Sequence, residues 1–110
     1  MHPRRGEVWW VAFDPSVGGE IQKTRPAMIV SNNAANAVLN RVIVVPLSSK
    51  TAKIYPGEAL VTLNGEPRKA MADQLTTASK KRMRSKLGEL SFSDVDAVEA
   101  AILLQLGIRR

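Results

Sequence analysis

Arg25 stands between a glycine-containing stretch (residues 14–24, DPSVGGEIQKT) and an apolar run (residues 25–31, RPAMIVS). A guanidinium there sits at the mouth of a pliable loop on a rigid base. Its planar fork matches the oxygens of a phosphate. An ion pair with a neighbour such as Glu20 is the plainer reading of the same arginine. Ser48 and Ser49 follow a second apolar run (residues 41–47, RVIVVPL). Their hydroxyls can donate to a phosphate or orient an attacking group; equally, serine starts turns at strand ends. Glu20, five residues before Arg25, is either a general base, a positioning group or a solvated loop carboxylate. Residues 79–86 (SKKRMRSK) carry five positive charges and no negative one. That run is either a footprint for a phosphate backbone or a solvated basic loop. Trp9, Trp10, Phe13 and Tyr55 are candidates to stack on bases.

Composition narrows the chemistry. The 110 residues contain no cysteine and one histidine, His2. A thiol nucleophile, a cysteine zinc site, a disulfide framework and a histidine pair within one chain are excluded. No P-loop or dinucleotide fingerprint is present. Sixteen Lys+Arg against ten Asp+Glu give a net charge of +6, which suits a polyanionic partner. No apolar run approaches the ~20 residues that span a bilayer, and the first residues lack a signal-peptide pattern. A cytoplasmic protein without membrane attachment, with one domain over residues 1–110, is expected.

The elements that must position these residues are short. Residues 7–13 (EVWWVAF), 25–31, 41–47 and 58–63 (EALVTL) read as strands. The run 41–47 is apolar enough to be buried on both faces. Asn64-Gly65 signals a hairpin turn, with residues 69–73 (KAMAD) as the partner strand and residues 87–90 as a last short strand. Residues 32–39 suit one or two helical turns capped by Asn32 or Asn33. The clearest helix covers residues 91–106: Ser91 or Ser93 caps it, Val95, Val98, Ile102 and Leu106 form its stripe, and Gly107 ends it. Trp9 and Trp10 face opposite sides of their strand, one toward the core and one toward a surface or interface. Five or six antiparallel strands and a C-terminal helix predict a mainly β (α+β) fold, a small bent sheet or barrel.

The segment RGEVWWVAFDPSVGGEIQKTRPAMIVSNN (residues 5–33) resembles the N-terminal half of the MazF/PemK/Kid toxin endoribonucleases. The features in register are RGEVWWVAFDP, then GGE, then RPAMIVS. VIVVPLSS, MADQL and LGELS continue the likeness over nearly the whole chain. The resemblance implies an SH3-like β-barrel acting as a homodimer. It implies metal-independent, cofactor-free cleavage of single-stranded RNA, usually mRNA, at short sequences, and neutralisation by an antitoxin with a flexible acidic tail. By position, Arg25 matches the catalytic arginine and Glu20 the loop glutamate of the substrate site. Ser48 matches the hydroxyl residue, most often threonine, and lacks the methyl that restricts χ1. Asp73 matches an aspartate that contributes in some members, or else serves as a structural acceptor. RNA contacts are expected from Gly19, Gln22, Lys23, Thr24, Ser49, Lys50, Asp73, Gln74, Lys80, Lys81, Arg82 and Arg84.

The implied chemistry uses RNA's own 2′-OH as nucleophile, leaving a 2′,3′-cyclic phosphate and a 5′-OH. Arg25 and Ser48 would stabilise the developing charge, and Glu20 would accept the proton. Two other readings belong to different classes. One is a non-catalytic toxin of the same barrel, resembling CcdB, that acts by protein contact; such toxins lack the R-P-A and P-x-[ST] pair. The other is a degenerate member that only binds RNA or antitoxin.

Overall fold

The computed structural model describes residues 2–15 and 17–109. Seven strands form one curled antiparallel sheet: β1 (Glu7–Ala12), β2 (Thr24–Ile29), β3 (Arg41–Ser48), β4 (Glu58–Leu63), β5 (Glu66–Met71), β6 (Thr76–Ser79) and β7 (Met83–Glu89). Two helices, α1 (Asn33–Val38) and α2 (Phe92–Leu106), complete it. The strand order is β4-β5-β3-β2-β1-β7, with β6 pairing the first half of β3.

Curling allows β3 to contribute to two apolar clusters. Val45 and Leu47 join Val8, Met28, Val61, Leu63, Val98 and Ala101 in the cluster beneath α2. Val42 and Val44 join Val11, Phe13, Ala27, Ile29 and Ala78 in the other. Burial of β3 on both faces is complete from Val44 to Leu47, whereas Arg41 and Ile43 stay exposed.

The hairpin turn falls at Asn64-Gly65, where both residues have positive φ, 50° and 82°. That conformation suits a two-residue turn whose twist matches the strands. It pairs Leu63 with Glu66, so β5 begins three residues earlier than its apolar portion suggests. The chain then tightens into a 3-10 turn over Ala72–Gln74, and the expected strand 69–73 is corrected to end at Met71. The same turn helps close the barrel: Asn64 Nδ2 donates to Leu87 O at 2.9 Å. A Cβ on Gly88 would stand 2.8 Å from Asn64 Oδ1, so a side chain there would push the turn off β7.

Residues 79–86 are not a loop. They form a 3-10 turn over Lys80–Arg82 and then most of β7, which pairs with β1. The expected strand 87–90 is therefore too short. Its apolar period is hidden because β7 is an edge strand, and charged side chains on an edge discourage pairing with another chain. The other edge, β4, is guarded differently: Thr62 N–H donates to Asp94 Oδ2 at 2.9 Å.

Helix α2 follows its signals. Ser91 Oγ accepts from Asp94 N–H, and Gly107 ends the helix in the left-handed conformation. Val98 and Ala101 are buried and Val95 and Ile102 pack beside them. Leu106, expected in the stripe, is exposed. Helix α1 is capped by Asn32, whose side chain accepts from Ala35 N–H.

Candidate active site

Arg25 is the second residue of β2 and Ser48 the last of β3. The β2–β3 ladder pairs Ile29 with Val44, Met28 with Val45 and Ala27 with Pro46, then stops. Continued by two residues, this register sets Arg25 across from Ser48. The ladder ends where Pro26, the residue next in register to face Leu47, lacks an N–H to donate. The strand ends are thus freed from one another, and a hollow of about 340 Å³ opens between them. Arg25, Ser48, Ser49, Lys50, Arg68, Trp10 and Ile21 are among the residues lining it. Arg25 is exposed, and its Nε donates weakly to Gln22 O at 3.4 Å. The Ser48 hydroxyl is half-buried and accepts from Lys50 N–H at 3.1 Å, which leaves its proton free to point at a ligand.

Trp10 presents one flank of this hollow and is 36% exposed. Trp9 turns the other way and packs on the cluster of Val11 and Phe13. The split between the two tryptophans matches the alternation of a strand. Arg68 was not anticipated as a site residue. Its place at the hollow follows from the β4–β5 register, which only the true start of β5 reveals.

Glu20, Asp73, Gln74 and Arg82 line a second hollow of about 370 Å³, with Phe13, Ile21 and Thr76. Ile21 belongs to both hollows and forms the wall between them. Glu20 is therefore not brought against Arg25 and Ser48. Its Oε1 accepts from Val17 N–H at 2.7 Å within its own loop. Gln74 fastens that loop to the barrel: its Oε1 accepts from Ile21 N–H at 3.2 Å and its Nε2 donates to Gly19 O at 3.1 Å. At the loop's end, Lys23 takes a positive φ of 66°. Asp14 Oδ1 accepts its N–H at 2.9 Å, and Phe13 N–H donates to its carbonyl at 2.8 Å. These bonds hold a conformation that side chains rarely adopt two residues before Arg25. Gln22, Lys23 and Thr24 are exposed on the same approach.

The basic run serves structure as well as charge. Arg82 Nη1 donates to Ala12 O and Asp14 O, at 3.0 and 2.6 Å. Lys80 Nζ donates to Asn36 O. Lys86 bridges Glu7 and Glu89 at 3.2 and 2.7 Å. Lys81 and Arg84 remain exposed, with Arg84 donating to Lys81 O. Lys80, Arg82 and Lys86 are thus tied to other elements of the barrel, and a phosphate would compete with those contacts.

Burial alone would raise the Glu7 carboxyl, but hydrogen bonds from Trp9 Nε1, the Arg4 N–H and Lys86, with the Lys86 charge, outweigh it and hold the carboxyl below the usual carboxylate value. Hydrogen bonds to Glu89 and then Glu7 lead the causes that raise Lys86. Folding thus lowers the Glu7 value. Its contribution to stability is present above the ordinary carboxylate range and is lost as pH falls through the lowered folded value. Melting wild type and Glu7→Gln from neutral pH to roughly pH 3 will show the gap between them narrowing on the acid side. A constant gap would mean that Glu7 keeps an ordinary value when folded.

An arginine facing a hydroxyl across two mutually unpaired strand ends, on a curled antiparallel sheet capped by a C-terminal helix, defines a small barrel with an open, arginine-lined rim. The family model for PemK-like, MazF-like toxins of type II toxin–antitoxin systems matches residues 4–106, and the chain belongs to that family. It is 34% identical over 114 residues to Endoribonuclease MazF9 of Mycobacterium tuberculosis, covering 96% of this chain and 97% of that protein. It is 32% identical over 108 residues to Endoribonuclease toxin MazF of Escherichia coli strain K12, covering 96% and 95%. Among solved structures, the crystal structure of MazF from Deinococcus radiodurans superposes with a TM-score of 0.87 at 25% identity, covering 98% of this chain and 99% of that one. A mycobacterial endoribonuclease solved in complex with its cognate antitoxin superposes with a TM-score of 0.82 at 25% identity, covering 98% of both chains.

Proposed function

We propose that this protein is the toxin of a toxin–antitoxin pair and a sequence-specific endoribonuclease of single-stranded RNA, mRNA above all. The observation that carries the reading is the Arg25–Ser48 hollow at the frayed end of β2 and β3. In the proposed reaction the RNA 2′-OH attacks the adjacent phosphorus. A bond forms to the 2′ oxygen and the bond to the 5′ oxygen breaks, with proton uptake there. The products are a 2′,3′-cyclic phosphate and a 5′-OH.

Arg25 offers its guanidinium fork to the phosphorane oxygens, with the Ser48 hydroxyl as a second donor. No metal or cofactor has a role in this scheme. Glu20 takes the 2′ proton through a bridging water, because its carboxylate lines the adjoining hollow. Gln22, Lys23, Thr24, Ser49 and Lys50 contact RNA around the first hollow, and Gly19, bonded to Gln74, beside the second. Asp73 and Gln74 do so in the second, while Lys81 and Arg84 supply outlying charge.

The net charge of +6 serves RNA and the acidic tail of a cognate antitoxin alike. Both are proposed to occupy the same face. A second copy of the chain would cover exposed apolar groups such as Val38 and Leu104, consistent with the limited core of a small barrel. Among the described residues no helix is long and apolar enough to cross a membrane, and the proposed site of action is the cytoplasm, where mRNA is translated. The whole of residues 1–110 is read as one toxin domain.

Total RNA treated with the pure protein, followed by sequencing of the new ends, tests the specificity. The expected cuts share a short sequence. Cuts scattered without one would refute sequence-specific cleavage, and intact RNA would leave only the binding or CcdB-like readings.

A further inference from the structure

The segment from Ser49 to Gly57 leaves the hollow and returns to β4 with no regular structure of its own. It is nonetheless fastened: Gly57 O accepts from Ala72 N–H at 3.2 Å, and a lysine of the sheet reaches its middle. Lys69 of β5 is only 9% exposed. Its Nζ pairs with Glu58 Oε1 at 3.2 Å and donates to Lys53 O at 3.2 Å. The same nitrogen lies 5.4 Å from the centre of the Tyr55 ring, and Lys53 Nζ lies 5.2 Å from it. Glu58 Oε1 also accepts the Tyr55 N–H at 2.8 Å. Both carboxylate and ammonium are nine-tenths buried as side chains. A buried charge pair of this kind is costly unless it is fully partnered, and here the partners are the loop's backbone and its one aromatic ring.

Lys69 is also the residue paired across the ladder with Ser48. One lysine side chain therefore begins opposite the hydroxyl of the candidate active site and ends against Tyr55. Tyr55 as a whole is 52% exposed. Tyr55 does not line the Arg25–Ser48 hollow but is tied to its rim through Lys69. An exposed aromatic surface with cations at its ring matches the chemistry of a nucleotide, whose base stacks while its phosphate meets positive charge.

We propose that Tyr55 is a base-stacking platform for a nucleotide flanking the scissile phosphate, and that Lys69 is the positioning residue that holds it there. This rests on the RNA reading above and adds a contact outside the Arg25–Ser48 hollow. The platform recognises a base by its face, so it fixes where the strand runs more than which base follows.

The test uses RNA oligonucleotides spanning a mapped cut, with 2′-deoxy at the scissile nucleotide so that binding is read without cleavage. A second set is abasic at one flanking position in turn. Tyr55→Ala is expected to weaken binding to the intact oligonucleotide about tenfold, and Tyr55→Phe to leave it unchanged. On one of the abasic RNAs, wild type and Tyr55→Ala should bind alike, because the base that stacks is missing. The double variant Lys69→Met/Glu58→Gln, which leaves no buried charge unpaired, should weaken binding on its own and add little to Tyr55→Ala. Equal binding by wild type and Tyr55→Ala, or an equal penalty on every abasic RNA, would overturn the platform. Should the protein cut no RNA, the nuclease reading falls by itself. The same comparison on short random-sequence RNA then decides the platform separately: a Tyr55→Ala loss sustains it, and no loss or no binding ends it.

Discussion

Arg25→Ala will lower RNA cleavage by about 10²–10³-fold, and its expression will no longer arrest growth. The effect is large because the guanidinium acts where charge develops, on the oxygens of a five-coordinate phosphorus. It is confined to chemistry because Arg25 is exposed and its side-chain hydrogen bond to Gln22 O, at 3.4 Å, is long. The variant should therefore melt within a degree or two of wild type. Its β2 neighbours Ala27, Met28 and Ile29 carry the packing and are untouched. Cleavage near the wild-type rate would remove Arg25 from the reaction. A large drop in melting temperature would mean that it holds the strand end rather than the phosphate. Ser48→Ala should be milder, since it removes a neutral donor and leaves the charged one in place.

Replacing the 2′-OH with hydrogen at the scissile nucleotide should stop cleavage at that bond altogether. The nucleophile of the proposed reaction belongs to the RNA, so no residue of the protein can substitute for it. Affinity should fall far less, because phosphate contacts dominate binding to a basic surface. A gel assay of a singly substituted oligonucleotide beside its all-RNA parent reads both quantities. Cutting at the 2′-deoxy position would require water or a side chain as nucleophile, and the scheme would fail.

Much of this site is legible in the chain itself. Arg25 and Ser48 each sit at the boundary between an apolar run and a polar loop, and strand boundaries of that kind survive folding. What brings them face to face is the β2–β3 register, and a sequence does not print a register. The proline that ends the ladder, Pro26, is visible. Its effect is not, because it depends on which neighbouring strand its backbone faces. Glu20 looked close to Arg25 by number, yet Ile21 walls it into the adjoining hollow.

The basic run misleads for a different reason. Charge count says nothing about whether Arg82 is spent on Ala12 and Asp14 carbonyls or Lys86 on two carboxylates. Strand β6 is four residues long, too short for a period, although Thr76 and Thr77 are the β-branched residues such a strand favours. The helix, by contrast, announces its cap, first turn and end locally. Leu106 is the exception in the stripe, since it stays exposed in the last turn.

The identity of the new ends decides the central claim. The wild-type protein should be incubated with a defined RNA in the presence of EDTA, and the termini of each fragment identified chemically. Undiminished cleavage that leaves a 2′,3′-cyclic phosphate on one fragment and a 5′-OH on the other is the predicted result. A 5′-phosphate with a free 3′-OH, or cleavage that stops when EDTA is added, would contradict it.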